Sequence, residues 1–281
     1  MSLIHRALGA LPRSWLKGAA RLQWRHPWLR ALVQRVADQL RGQDLRIAQG
    51  VGQGLWFNAG RSKAGYALGT TEPRLQGAFA RLLRPGMTVY DVGASVGFQA
   101  VLAARLVGRE GRVVAFEPFP ENAAWARHNA RLNDFGHLEV LEVAVAAADG
   151  SARFQAGKDV NWGKLDSGGA LEVKVRSLDS VSAELGARPA AIKIDVEGAE
   201  ASVLDGARGV LSSASPILFI DCHGTNASVA ERLEPLGYRL VVLGGGGVPL
   251  REASWDAQVV ALPPGLPDGD QVAEALAQQR T

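Results

Sequence analysis

The residues able to do chemistry gather first in Thr88–Ala100, TVYDVGASVGFQA. This stretch reads as a buried strand, Thr88-Val89-Tyr90, that ends at Asp91, turns through Gly93-Ala94-Ser95-Val96-Gly97 and enters a helix at Phe98. Strand, glycine turn and helix N-terminus together make a nucleotide cradle. Glycine lets the backbone approach a ligand, and the first helix amides point at it. The spacing is G-x-x-x-G behind an acidic residue, not the G-x-G-x-x-G of dinucleotide binders. A carboxylate at the strand tip would repel a pyrophosphate, whereas a cationic nucleoside such as S-adenosylmethionine tolerates it. The alternative reading of this stretch alone is a plain structural strand-to-helix turn.

Further candidates follow at the ends of later strands. Glu117 closes the strand Arg112–Phe116, 20 residues beyond Gly97, a position suited to accept two ribose hydroxyls. Ala144-Val145, after a third strand over 138–143, is a small apolar pair that could lie against an adenine ring. Asp195, Glu197 and Glu200 cluster where the buried strand Ala191–Ile194 gives way to a helix. Helix N-termini favour carboxylates, so Glu197 and Glu200 have a structural explanation. Asp195 sits at the carboxyl edge of the sheet, where open α/β sheets bind ligands.

His223 ends the next strand, Pro216–Ile220, beside Asp221. A histidine titrates near working pH, which makes it the first candidate for a general base; a structural role is the plainer alternative. Asp195 is the second candidate, as base or as orienter of an acceptor. A divalent ion could bridge Asp195, Glu197 and Asp221 to a substrate diol, but the sequence requires none and no metal is expected.

The elements that must position these residues alternate. Five strand–helix units, then strands at Tyr238–Leu243 and Gln258–Leu262 joined by a glycine loop, predict an α/β fold. It is a Rossmann-like seven-stranded sheet, mostly parallel with an antiparallel last strand, with helices on both faces. Ahead of it, Pro73 is placed to start a helix with Thr70 or Thr71 as cap. The glycine-rich stretch 42–60 reads as a linker or a short hairpin around Leu55-Trp56-Phe57. Residues 149–176 break the alternation with short β-like pieces, read as a loop or a hairpin extending the sheet. Trp162 and Lys164 within it are candidate substrate contacts.

At 281 residues, 47% hydrophobic and 21% charged, the chain is long enough for a three-layer core. A single cysteine, Cys222, excludes a disulfide framework and fits a reducing compartment. No apolar run approaches the roughly 18–20 residues of a membrane span, and no signal peptide is evident, so a cytoplasmic protein is expected. The net charge of +3 conceals an asymmetry. Residues 1–41 carry eight basic side chains against Asp38 alone. Residues 1–49 are expected to form a basic helical extension, and 50–281 the catalytic domain. The extension could pack on the domain, self-associate or meet a membrane surface; no nucleic acid partner is expected.

The order of these motifs resembles the class I S-adenosylmethionine-dependent methyltransferases and, more closely, the FkbM-like family. The matching segments are LGTTEP (68–73), VYDVGASVGF (89–98), VVAFEPFPEN (113–122), AVAAADG (144–150), VRSLDSV (175–181), IKIDVEGAEASVLDGA (192–207) and ILFIDCHG (217–224). They span about residues 50–265; Asp221 stands where the family more often carries glutamate. The resemblance implies O-methylation of a hydroxyl on a sugar, glycolipid or natural product, with S-adenosylmethionine as cofactor. Carried over by position, Asp91 and the backbone of Gly93, Ala94, Ser95, Gly97 and Phe98 would hold the methionine end. Glu117 would take the ribose, with Pro118 on one side of the adenine and Ala144 and Val145 nearby. Glu72 would close the pocket, and Asp195 would face sulfonium and acceptor. The rival readings are a nicotinamide-dependent oxidoreductase and a non-catalytic nucleoside-binding or membrane-docking module.

Overall fold

The computed structural model describes residues 42–63, 65–156, 163–165 and 171–279. The helices expected over residues 1–41, and Trp162, lie outside the described residues. The stretch 42–60 is a hairpin: β1 (Leu45–Arg46) pairs antiparallel with β2 (Trp56–Phe57). Its Ile47 and Phe57 are buried in the core shared with the main sheet. A helical turn, α1 (Gly65–Leu68), leads to α2 (Pro73–Leu82). Pro73 does start that helix, but the cap is Glu72 in left-handed backbone (φ 49°) and not Thr70 or Thr71. Its carboxylate is not used to cap its own helix.

Strand and helix then alternate through β3 (Thr88–Val92), α3 (Phe98–Val107), β4 (Arg112–Phe116), α4 (Pro120–Leu132) and β5 (Leu138–Leu141). An excursion follows: β6 (Ala144–Val145), β7 (Gly150–Ala156), β8 (Gly163–Leu165) and β9 (Leu171–Arg176). The alternation resumes with α5 (Leu178–Leu185), β10 (Ala191–Ile194), α6 (Glu200–Asp205), α7 (Arg208–Ala214), β11 (Ile217–Asp221) and α8 (Asn226–Leu233). It closes with β12 (Arg239–Val242), β13 (Gln258–Leu262) and α9 (Gly269–Ala277).

The main sheet is seven-stranded in the order β12-β13-β11-β10-β3-β4-β5. Strands β5, β4, β3, β10 and β11 run parallel, while β13 slots antiparallel between β11 and β12. This is the mostly parallel sheet with an antiparallel last strand that the alternation predicts. Parallel strands are covered on both faces, so they read as unbroken apolar runs whose side chains alternate between two layers. Val89, Val113 and Phe219 enter the layer under α2, α3 and α9, where Phe79 meets Phe219 edge-on at 4.7 Å. Tyr90, Val114 and Leu218 enter the opposite layer with α5 to α8. The strand order reverses between β3 and β10, and at such a point a crevice opens beyond the carboxyl ends of the strands.

Residues 149–176 do not extend that sheet. Their strands join β6 in a separate four-stranded sheet in the order β6-β9-β7-β8. The cause is visible in β9, where Val173 and Val175 are buried while Glu172 and Lys174 are exposed. One-sided alternation suits a sheet with one wet face, and here the dry face packs on Ala144 and Phe119. Lys164 falls on β8.

Candidate active site

The parallel register sets Asp91 opposite Lys193 and beside Ala115, all on the same sheet face. Beyond Asp91 the turn is held by its glycines. Gly93 has φ +78°, and a Cβ there would stand 1.9 Å from the Asp195 carbonyl oxygen, so only glycine lets the two loops close on each other. Gly97, at φ +84°, meets Ala126 of α4 in the same way. Both the Gly93 and Ala94 amides donate to the Phe116 carbonyl at 3.0 Å. Glu117 ties the same turn to β4: its carboxylate accepts from the Ser95 amide at 2.8 Å and the Phe119 amide at 2.9 Å. Burial pushes the Glu117 carboxyl up to about 7, against those hydrogen bonds. Pro118 and Phe119 beside it are half-buried.

Phe98, Ala144 and Val145 are core residues. Phe98 stacks on Tyr66 at 4.7 Å and meets Phe57 edge-on at 5.4 Å. Val145 packs in the layer of Tyr90 and Phe116, and Ala144 with Val173 and Val175.

Next to the turn lies a buried charge cluster. Lys193, 2% exposed, brings its Nζ 3.4 Å from Asp91 and 3.5 Å from Asp195, and donates to the Gly93 carbonyl at 3.1 Å. Asp91 is 1% exposed, and neither of its carboxylate oxygens has a hydrogen-bond partner among the described residues. Burial raises the Asp91 carboxyl and Lys193 opposes that rise. Burial also acts against the Lys193 charge, yet Asp91, Asp195, Asp221 and Glu72 together hold its pKa above the ordinary lysine value. Glu72 accepts from Gln99 of α3 at 2.5 Å; burial and then Asp195 raise its carboxyl. Asp221 is pushed up to about 8 by burial, Asp195 and Glu72. The edge is therefore a basin with more carboxylates than cations.

His223 closes the basin on the β11 side. Its Nδ1 pairs with Glu200 at 3.1 Å, while Nε2 faces Glu197 at 3.5 Å and Asp195 at 4.0 Å. Glu200 is fully buried and fixed by the Thr225 hydroxyl at 2.8 Å and the Gly198 amide at 3.0 Å. The hydrogen bond to Glu200 and the charges of Asp195 and Glu197, working against burial, push His223 up to about 9. This corrects the expectation drawn from an ordinary histidine. At neutral pH the ring is a cation and donates instead of accepting. Trp255, 61% exposed, lies edge-on to His223 at 5.5 Å and covers Gly224, where a Cβ would fall 2.4 Å from its indole nitrogen.

The structure thus gathers Glu72, Asp91, Gly93 to Gly97, Glu117, Asp195 and His223 along one sheet edge. Sequence reasoning missed Lys193, although one signal was available: it is the lone cation in an otherwise apolar buried strand. It also missed Gln99, the partner of Glu72, and Trp255, which carry no motif.

A cationic nucleoside fits this donor set. The buried, unbonded oxygens of Asp91 and the surplus of carboxylates over cations suit an ammonium and a sulfonium better than a pyrophosphate. Fold and site together define a class I methyltransferase domain, the class that uses S-adenosylmethionine. Within it, the chain belongs to the FkbM methyltransferase domain family, whose profile matches residues 91–240. The FkbM methyltransferase of Methylobacillus flagellatus KT is similar at 19% identity and TM-score 0.47, over 70% of this chain and 52% of that one. Among curated relatives, a protein-L-isoaspartate O-methyltransferase of Aeropyrum pernix is 43% identical over 31% of this chain and 33% of its own length. A ribosomal RNA large subunit methyltransferase E of Chromohalobacter salexigens is 37% identical over 34% of this chain and 42% of its own. The chain therefore matches about a third to two fifths of the length of these two curated relatives. Among the described residues, no helix is long and apolar enough to cross a membrane.

Proposed function

We propose that the chain transfers the methyl group of S-adenosylmethionine to a hydroxyl oxygen on a sugar, glycolipid or natural product. The observation that carries this reading is Asp91, buried with both oxygens unbonded beside Lys193 at the tip of the glycine turn. When bound, the cofactor supplies an electrophilic methyl group. Asp91 and the Gly93, Ala94, Ser95, Gly97 and Phe98 backbone would hold its amino-acid end. Glu117 would accept the ribose hydroxyls, with Pro118 against the base and Ala144 and Val145 supporting that wall by packing. Glu72, anchored to Gln99, would close the pocket.

Asp195 and His223 are assigned to the acceptor. Methyl displacement is in-line, so aligning the oxygen contributes most of the rate, and removal of its proton contributes about 10²–10⁴-fold more. Asp195 is the better placed to take that proton, because its Oδ2 lies against Lys193 while its Oδ1 faces the cleft near His223. The exposed face of Trp255 beside His223 offers a flat apolar wall for a sugar ring, which favours a saccharide acceptor.

Calorimetry with S-adenosylmethionine and with NAD, followed by methyl incorporation across a panel of hydroxyl acceptors, tests the reading. Binding of the methyl donor alone, with incorporation, is expected. Binding of NAD in its place would restore the oxidoreductase. Donor binding without incorporation into any acceptor would favour a non-catalytic module. Asp195→Asn should lower turnover by about 10²–10⁴-fold and His223→Ala should lower it as well, both with donor affinity retained; unchanged turnover in both would refute the assignment.

A further inference from the structure

Three side chains at the acceptor end of the basin meet in a way that a salt-bridge cluster does not require. Asp195, Glu197 and His223 each offer one donor atom, and these atoms lie within 4.8 Å of one another. Glu197 Oε2 stands 3.5 Å, and Asp195 Oδ1 4.0 Å, from His223 Nε2. Donors bound to one divalent ion at about 2.1 Å are separated by about 3–4 Å, so a small side-chain adjustment completes the set. A second observation concerns what stands behind the ligands. His223 presents Nε2 to the cluster because its Nδ1 is engaged by Glu200, itself fully buried and fixed by Thr225 and Gly198. A carboxylate holding the far nitrogen of a histidine is the outer-shell arrangement of metal-binding imidazoles. The three side chains are 26%, 23% and 16% exposed, so the cluster forms a cleft wall with one open side.

We propose that Asp195, Glu197 and His223 bind one divalent cation of the Mn²⁺ or Mg²⁺ type, whose open positions take two neighbouring oxygens of the acceptor. Two carboxylates and one imidazole, which gives up its proton as the ion binds, are a hard-to-borderline donor set whose charge then balances a divalent ion. Asp221, which the sequence offers as a candidate ligand although no metal is expected, is not in the set; His223 takes that place. The ion would lower the pKa of a coordinated hydroxyl, and chelation of a second oxygen would fix which hydroxyl of a vicinal pair is methylated. What the ion does rests on the methyl-transfer reading: with the ion bound, Asp195 and His223 hold it instead of meeting the hydroxyl directly, and the proton of the coordinated hydroxyl leaves to solvent. Where the ion binds does not rest on that reading.

The test uses the full chain, stripped with a chelator and dialysed. Mn²⁺ is titrated in, and the loss of the free aqueous Mn²⁺ electron-paramagnetic-resonance signal reports binding. One Mn²⁺ per chain is expected, with affinity reduced at least tenfold in Glu197→Gln and in His223→Ala. Glu200→Gln, which leaves all three ligands in place, should weaken Mn²⁺ by about 10–100-fold as a positioning residue. No binding by the unmodified chain, or binding undiminished in Glu197→Gln and His223→Ala, would overturn the site. Circular dichroism checks each fold; if His223→Ala unfolds, the two glutamate variants decide. Calorimetry with S-adenosylmethionine on the same stripped protein separates the two readings. Donor binding without Mn²⁺ binding removes the metal site alone. Mn²⁺ binding without donor binding removes the methyl-donor reading and leaves the site.

Discussion

Lys193 and Asp91 face each other across β10 and β3 with almost no access to water. Removing one partner of a buried pair strands the other charge, at about 3–5 kcal/mol. Lys193→Met should therefore lower the unfolding free energy by that order in urea titrations. Asp91→Asn in the same chain should restore much of it, because the stranded carboxylate is then gone. Glu117 makes a different prediction, about pH. Its folded pKa of about 7 exceeds the unbound value of 4.5, so the folded chain keeps a proton that the unfolded chain releases. Its contribution to stability falls as pH rises from 4.5 to about 7. Ribose hydroxyls donating to the carboxylate favour its ionised form. Donor affinity should then climb with pH through about 7 and level off above it, with up to one proton released on binding. Calorimetry in buffers of different ionisation enthalpy measures that proton, and Glu117→Gln should abolish it. Trp255→Ala should raise the acceptor KM about tenfold with kcat and melting temperature little changed, since about 1.4 kcal/mol of stacking is lost from an exposed side chain.

Among the elements, the turn after β3 shows how a strand tip becomes a site. A left-handed backbone costs an ordinary residue about 1–2 kcal/mol. Gly54→Ala, at φ +87° with open space around it, should cost only that. Gly93→Ala adds the collision with the Asp195 carbonyl and should spread β3 from β10, lowering donor affinity more than tenfold while Gly54→Ala leaves it unchanged. Thermal melts beside donor calorimetry separate the two effects. This turn was legible in the sequence because glycine spacing, an acidic strand tip and a following apolar helix all report local backbone geometry. The cap of α2 was not. Thr70 and Thr71 look like caps by residue type, but Glu72 takes the cap position while its carboxylate goes to Gln99, 27 residues further on. No local pattern encodes that distant partner. His223 follows the strand β11, as the local pattern indicates, but its charge was not legible for the same reason as the cap: Glu200, 23 residues earlier, sets it.

At the scale of the whole molecule, alternating elements gave a mostly parallel seven-stranded sheet with an antiparallel last strand, since handed parallel crossovers leave few arrangements. The second sheet was harder to foresee, because the period-2 pattern of β9 says one face is dry without saying against what. Among the described residues, the buried members of its core are Ala144, Val173 and Val175. The central strands β3, β10 and β11 are instead buried on both faces. Native-state hydrogen exchange should therefore release the amides of β7 and β9 well before those of β3 and β10. Equal protection would mean that the small sheet unfolds with the rest.

The late strand β13 lies between β11 and β12, although it is the last of the three to leave the ribosome. Until residues 258–262 have been made, β11 has no outer neighbour, and the backbone leading to His223 is an open edge. Cys222 and Gly224, on either side of that histidine, hydrogen-bond to Ala257 and Trp255, from the segment just ahead of β13. During synthesis the donor half of the crevice, built on β3 and β4, can thus be complete while the acceptor half still waits. A nascent chain halted before β13 would show a sticky strand edge where the finished protein selects its acceptor.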